Sequence, residues 1–410
     1  MVSSLDVYGG GGVDVTQARR KRPKDRREQI ARVAAEDFSR RGYHGVGIEE
    51  IAASLDISGP AVYRHFPNKY ALLEHAITSA SDALCHAVDD AAEATEGKAP
   101  QERIDAIIDA ALRVSFERRN TGGLFRWEQR LLEREDRARI RAQLTAMIGT
   151  VSDAAQPALP GVERAEIDLR SVALISVTGS VTAHRTVLAQ KRAEAVLAAA
   201  ARRTLALPAP PVPYTAPPET VPEPAPDAGR QGQVLDTAIE QIFEHGFHNV
   251  SMGQIGRAAG IVPSGMYRYF PSKAGILVSA LDRAGEATVR MIDEVVGAVA
   301  EPRARLAALA EAYVQMSFRT SKMMSVYFRE IGNVPDADRS RLAAVQRANI
   351  AAFADAVVGV RPDLSAAEAT FLVHAAFAVV FDVGRTRRFD QDPEFQAEVY
   401  ALVCAVLFPA

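Results

Sequence analysis

The chain has 410 residues, 48% of them hydrophobic and 24% charged, a balance that fits folded globular domains and excludes a disordered chain. At roughly 150 residues per domain, this length predicts two or three domains, each burying its own core. The net charge of −3 leaves any attraction to nucleic acid to local patches, and the two cysteines, Cys85 and Cys404, imply neither a disulfide framework nor a metal cluster.

That cysteine usage fits the reducing cytosol. The apolar stretches near 172–183 and 371–383 read as interrupted or too short to cross a bilayer, and no apolar signal core opens the chain, so a cytoplasmic location is expected. Residues 1–24 contain Gly9-Gly10-Gly11-Gly12 and read as a flexible basic arm. The cationic run extends from Arg19 to Arg27, with seven of its nine residues basic. A first helix follows, with Ile30, Val33, Ala34 and Phe38 at three- and four-residue spacing and a stop at Gly42. A second begins near Gly47. Ile51 to Ile57 then reads as helix, tight turn and re-entry, with Asp56 at the turn, a residue that tolerates the left-handed region. Ser58 can cap a third helix with Pro60 in its first turn, and Asn68 can cap the next, which places Lys69 at a positive helix N-terminus. Helical patterning continues to about residue 207. Between Pro208 and Asp227, nine of twenty residues are proline, which predicts a semi-rigid linker reaching roughly 60 Å at about 3.1 Å per residue.

Beyond the linker the pattern starts again. Tyr63-Arg64-His65-Phe66-Pro67-Asn68-Lys69 returns as Tyr267-Arg268-Tyr269-Phe270-Pro271-Ser272-Lys273, displaced by 204 positions. At the same offset Gly42-Tyr43-His44 matches Gly246-Phe247-His248, and Ile51 matches Ile255. The tails Leu207-Pro208-Ala209 and Phe408-Pro409-Ala410 match at an offset of 201. A repeat of this period indicates duplication of a whole unit. In copy two Ser251 and Gln254 have capping-box spacing, Gly260 stands where copy one has Asp56, and Pro263 is at the first position of its third helix.

Two short helices joined by a tight turn form a helix-turn-helix, whose second helix fits the major groove. Small residues open both of these helices, Ser58-Gly59-Pro60-Ala61 and Pro263-Ser264-Gly265, and permit close approach to base edges. Tyr63, His65, Tyr267 and Tyr269 can bond phosphate, and Arg64 and Arg268 can reach phosphate or guanine. With Phe66 and Phe270 read as core, both copies resemble the DNA-binding domain of the tetracycline-repressor (TetR) family. The resemblance rests on a hydrophobic-Ala-x-x-x-Gly-hydrophobic-Ser turn followed by Tyr-x-(Tyr/His)-Phe-x-(Ser/Asn)-Lys. It implies an all-α fold of two tandem units, each a three-helix DNA-binding domain followed by a helical effector and dimerisation domain. It also implies that Tyr63, Tyr267, Lys69 and Lys273 clamp the DNA backbone. Arg26 and Arg27, just before helix one, resemble arms that track the minor groove. The copies depart from the pattern at Pro60, Ala61 and Val262, and copy two follows Glu219, Glu223 and Asp227 instead of a basic arm, so a weaker second reader is one reading.

The resulting division is 1–24 arm, 25–75 first DNA-binding domain, 76–207 first effector domain, 208–228 linker, 229–279 second DNA-binding domain and 280–410 second effector domain. Phe116, Phe125, Trp127, Phe318, Tyr327 and Phe328 can line a pocket for an apolar or amphipathic effector, or simply pack the core. Glu128, Asp136 and Arg137 recur as Glu330, Asp338 and Arg339 and read as helix-surface or inter-helix pairs. His184 and His374 read as isolated, without a ligand-spaced partner, so no metal or cofactor is expected. No nucleophile–base pair or phosphate loop accompanies them, and an enzyme is not expected. The function expected is a ligand-released repressor bound to double-stranded operator DNA as a single-chain pseudo-dimer, its half-sites about 34 to 36 Å apart. Small Ser176, Gly179, Ser180 and Ala183 facing bulky Phe371, Phe377 and Phe381 would favour that pairing. The alternatives are an architectural DNA-binding protein, a helical enzyme or sensor with a vestigial cassette, or a homodimer of tandem chains with only the first unit reading DNA.

Overall fold

The computed structural model describes residues 23–122, 124, 131–215 and 229–409, with 23–25, 263 and 328 described in their backbone alone. Among the described residues there is no strand. Copy one forms α1 (Pro23–Arg41), α2 (Ile48–Ala53), α3 (Gly59–Tyr63), α4 (Lys69–Ala94), α5 (Pro100–Glu117), α6 (Arg134–Ala155), α7 (Arg164–Gly179) and α8 (Gln190–Ala206). Copy two forms α9 (Arg230–His245), α10 (Met252–Ala258), α11 (Pro263–Met266), α12 (Lys273–Ala298), α13 (Pro302–Arg319), α14 (Ser321–Glu330), α15 (Asp336–Val360), α16 (Ala366–Thr386) and α17 (Pro393–Leu407).

Local chemistry sets the starts and stops. Gly42, at φ +72°, ends α1 while its N–H donates to Phe38 O at 2.9 Å. Proline opens α5, α13 and α17, where its missing N–H has no intrahelical partner to lose. Proline also corrects one boundary. Because α1 begins at Pro23, Lys24, Arg26 and Arg27 lie in its first turns and not in an extended arm; Arg19 to Arg22 fall outside the described residues.

Each head is a three-helix unit closed by the start of a long fourth helix. Ile30, Phe38, Ile51, Val62, Phe66, Leu72 and Leu73 bury one core, and Val234, Ile242, Ile255, Met266, Phe270, Ile276 and Leu277 bury the other. Neither core stops at the expected domain edge. Leu124, Leu132 and Ile140 join the first, Met323, Val326 and Leu342 join the second, and the divisions at 75/76 and 279/280 fall inside the 26-residue helices α4 and α12. Each head is therefore joined to its helical half by a continuous helix and a shared core.

The helical halves of the two copies merge. A single core holds Leu174, Val177, Leu197 and Ala201 of copy one with Phe371, Val379, Leu402 and Val406 of copy two, as α7 and α8 pack on α16 and α17. Arg192 of α8 donates to the buried Glu368 of α16 through Nε at 3.0 Å and Nη2 at 2.8 Å. Ser365, whose hydroxyl and N–H bond Glu368, together with Arg192, lowers that carboxyl to about 2. Arg203 of α8 donates to Ala405 O and Val406 O at the end of α17, at 2.8 and 3.0 Å. These contacts are not reciprocated: at the tail offset, Pro393 and Cys404 stand where copy one has Arg192 and Arg203.

The expected fit of small against bulky side chains is corrected in part. Ser176 and Ser180 are buried and Phe371 meets copy one, its ring 4.6 Å from that of His184. Phe377 instead stacks on Tyr313 at 3.9 Å and Phe381 lies beside Phe389, both within copy two. The apolar run read as too short for a membrane belongs to the 21-residue α16, whose most apolar 18-residue window has mean hydropathy 1.6, long and apolar enough to span one; 67% of that window is buried within the fold. The linker is shorter in effect than its sequence. Tyr400 donates to Val212 O at 3.0 Å, Tyr214 to Gln396 at 2.7 Å, and Thr215 N–H to Glu311 at 2.8 Å. Residues 208–215 thus lie along copy two, while 216–228 fall outside the described residues.

Candidate nucleic-acid interface

Both turns adopt the conformation their sequences predict. Asp56 has φ +53° and Gly260 has φ +67°, each reversing the chain between the two short helices, and Arg230 Nη2 steadies the second turn through Gly260 O at 2.7 Å. In copy two Ser251 Oγ accepts from Gln254 N–H at 3.2 Å, while Gln254 Oε1 accepts from Ser251 N–H at 2.8 Å. Gly47 has no side chain to offer, so Glu50 alone closes the corresponding end, accepting from Gly47 N–H at 2.7 Å and from Arg41 at 3.0 and 3.1 Å.

The sequence-predicted readers reach the surface. Ser58 and Pro60 are exposed, Gly59 and Ala61 half-buried, and Tyr63 and Arg64 exposed with His65 half-buried behind them. In copy two Ser264, Tyr267, Arg268 and Tyr269 are exposed, Gly265 is half-buried, and the backbone of Pro263 opens α11. Tyr63 and Tyr267 are 48% and 61% exposed, which sets them apart from Phe66 and Phe270 in the core. Asn68 and Ser272 cap α4 and α12, accepting from Ala71 and Gly275 N–H at 2.8 and 3.0 Å.

Three cations lie differently from expectation. Lys273 Nζ donates to Phe247 O and to Val250 O, the latter at 2.6 Å, and sits 4.3 Å over the Phe247 ring. Lys69 Nζ sits 4.4 Å over the Tyr43 ring. Burial lowers the pKa of both amines. Each lysine is thus directed into its own head, because the turn after helix one offers a ring and, in copy two, bare carbonyls within reach. Arg27 is exposed, but its guanidinium lies 4.9 Å over Phe66; Arg26 is half-buried.

One feature went unread in the sequence. The segment 47–69 carries Glu49, Glu50 and Asp56 against Arg64 and Lys69, whereas 251–273 carries Arg257, Arg268 and Lys273 and no carboxylate. Gly253, Gln254 and Arg257 replace Glu49, Glu50 and Ala53 at the constant offset. Aligning the copies for charge, and not only for the cassette, would have found it.

Of the six aromatic residues considered for a pocket, the three whose side chains are described pack in the core. Phe318 is 1% exposed and packs against Phe389 and Phe395, Phe116 lies against the same shared core, and Tyr327 packs against the head-two core with its hydroxyl bonded to Gln346. Phe125, Trp127 and Glu128 lie outside the described residues, as does the side chain of Phe328. A cleft lies between α12 and α15. Its volume is about 310 Å³, and Val289, Leu342 and Val345 line it together with the charged Asp282, Glu286, Arg290 and Arg341.

The two histidines read as isolated are in fact paired. His184 and His374 stack across the junction between copies, ring centroids 4.0 Å apart and planes within 5°. Burial, then the neighbouring His374, Arg119 and Arg185, push His184 down to about 2; burial and Arg119 push His374 down to about 4. Both are therefore neutral at pH 7. Among the described residues no group of three or more His, Cys, Asp or Glu is arranged to hold a metal. Of the recurring charges, Asp136 accepts from Tyr70, Arg339 bonds Asp336 and Val334 O, and Glu330 is buried beside Phe247 N–H and Asn333.

Two exposed helix-turn-helix surfaces on one chain define a DNA-binding protein of the helix-turn-helix class. The family model for bacterial regulatory proteins of the tetR family matches twice, at residues 30–76 and 234–280, and the chain is a tandem tetR-family protein. It is 35% identical over 89 residues to the HTH-type transcriptional activator FasR of Mycolicibacterium smegmatis, a match spanning 22% of this chain and 40% of that protein. It is 33% identical over 64 residues to the fatty acid metabolism regulator protein of Bacillus subtilis, spanning 15% of this chain and 33% of the relative. The chain thus covers well under half the length of each. A tetR-family regulator of Bordetella parapertussis, known from its crystal structure, shares 22% identity at a TM-score of 0.40, covering 43% of this chain and 94% of that one.

Proposed function

We propose that the protein is a sequence-specific transcriptional regulator that reads an asymmetric operator with both heads of a single chain and acts as a repressor by occupying DNA. The observation that carries this reading is the pairing of two exposed recognition surfaces through one shared core whose contacts, Arg192 to Glu368 and Arg203 to the end of α17, are not reciprocated. Two like copies would lose both. Tethering supplies a high effective concentration for the unlike pair, and unlike recognition helices call for unlike half-sites, about one helical turn apart.

The effector in this reading is an amphipathic small molecule. Its site in this reading is the cleft between α12 and α15, where apolar and charged lining residues together suit a chain with a polar end. Ligand wedged there would tilt α12, which begins in head two, and any such coupling must be reciprocal between ligand and DNA. Light scattering on the free protein and on a minimal operator complex tests the architecture. A one-chain mass in both is expected; a two-chain mass together with a perfectly palindromic footprint would overturn it.

A further inference from the structure

The two heads touch. His44, in the turn after α1, and His248, in the matching turn after α9, face each other with ring centroids 4.3 Å apart. The contact lies at the middle of a ladder that runs from head to head. Lys69 stands over Tyr43, Tyr43 meets His44 edge-on at 5.2 Å, His44 meets His248, His248 meets Phe247 edge-on at 5.5 Å, and Lys273 stands over Phe247. The ladder is pseudo-symmetric, each rung having its partner 204 positions away. Its two ends are the first residues of α4 and α12, the helices that carry each head on its helical half.

The seam is close-packed and buttressed. A Cβ added at Gly332, just beyond α14, would stand 3.2 Å from Arg41 O at the end of α1, so copy two meets the base of head one flush. The gap between Arg41 to Gly45, His248 and Arg329 to Asn333 measures only about 20 Å³. Behind it the buried Glu330 accepts from Phe247 N–H at 3.4 Å and from Asn333 at 2.9 Å, tying the head-two half of the ladder to α14. The recognition surfaces take no part in it: Tyr63, Val262, Tyr267 and Tyr269 stay exposed.

We propose that this seam fixes the separation of the two recognition helices and thereby selects the spacing of the operator's half-sites, with His44 and His248 as its positioning pair. The proposal rests on both heads engaging DNA. Two rigid readers joined by a packed contact present one register to the duplex, and each added base pair moves a half-site by about 3.4 Å and rotates it by roughly a tenth of a turn. Readers free of the contact would follow that displacement at the cost of little more than entropy.

Two measurements on the full chain decide it. In the first, the His44→Cys/His248→Cys protein is treated with bismaleimidoethane without DNA; the native Cys85 and Cys404 are buried. An internal cross-link of one-chain mass is expected, and its absence would show that the heads do not meet in solution. In the second, operators with half-sites moved apart by one to four base pairs are titrated with wild type, His44→Ala/His248→Ala and Gly332→Leu. Wild type should lose about tenfold or more per step away from its optimum, while both variants bind the whole series within about threefold and all three bind an isolated half-site alike. A flat wild-type series, or the same sharp optimum in the variants, overturns the proposal. If wild type binds no half-site while the cross-link forms, the DNA reading has failed and the head contact has not.

Discussion

Head one and head two share a cassette and a backbone, yet they carry opposite charge around the reading helix. Head one sets three carboxylates against two fixed cations between residues 47 and 69, and places its surplus of cations ahead of and within the start of α1. Head two has no basic run before α9 but carries three cations and no carboxylate between residues 251 and 273. The expectation of a weaker or differently oriented second reader rested on the departures at Pro60, Ala61 and Val262 and on the missing arm, not on the charge around the reading helices. Phosphate attraction is summed over the whole surface facing the duplex, so a cationic segment without carboxylates can stand in for a missing arm. Duplication here preserved geometry and changed where the positive charge lies.

The largest test removes the readers themselves. Tyr63→Ala/Arg64→Ala and Tyr267→Ala/Arg268→Ala should each weaken operator binding by about 100-fold or more, since single contacts of this kind contribute roughly 1–3 kcal/mol. Gel-shift titration of the two proteins side by side checks it. If the head-two variant binds like wild type, the heads are not equivalent and only the first reads DNA.

A second test moves the comparison from the heads to the halves that join them. His184 and His374 come from unlike positions of the two copies and are held neutral, their folded pKa values below the ordinary 6.5. The unfolded chain then binds more protons than the folded one as pH falls below about 6.5, so stability is full above that value and declines toward pH 4. Between pH 7.5 and 5.5 each histidine should cost about 1.4 kcal/mol. Urea unfolding of wild type and His184→Asn at both pH values should show the variant losing less by about that amount. Parallel losses would mean the pair is solvated.

The smallest expected effects are the most specific to charge. Glu49 lies beside the start of α3, near enough that a Cβ on Gly59 would stand 3.6 Å from its carboxylate. Glu49→Gln should raise affinity by about threefold, and Arg257→Ala should lower the log–log salt slope by about 0.9, one phosphate contact. Salt titrations with equal slopes for wild type and Arg257→Ala would return the electrostatic role to α1.

Much of this was legible without coordinates. The all-α tandem architecture, the left-handed turns at Asp56 and Gly260, the Ser251 and Asn68 caps and the outward Tyr63 and Tyr267 all follow from local rules, in which a residue's own backbone preference or a partner three positions away settles the outcome. Which surfaces meet was not legible. The inward turn of Lys69 and Lys273, the stacking of His184 on His374, the head-to-head approach of His44 and His248 and the docking of Val212 and Tyr214 join groups from tens to just over two hundred residues apart. Such partners are chosen by how whole helices pack, and the repeat period gives the correspondence of two residues but not their contact. The sequence by itself determined two readers and the chemistry each can offer. Only the tertiary structure decided that they lean on one another, because burying α7 and α8 against α16 and α17 brings both turns to a common seam.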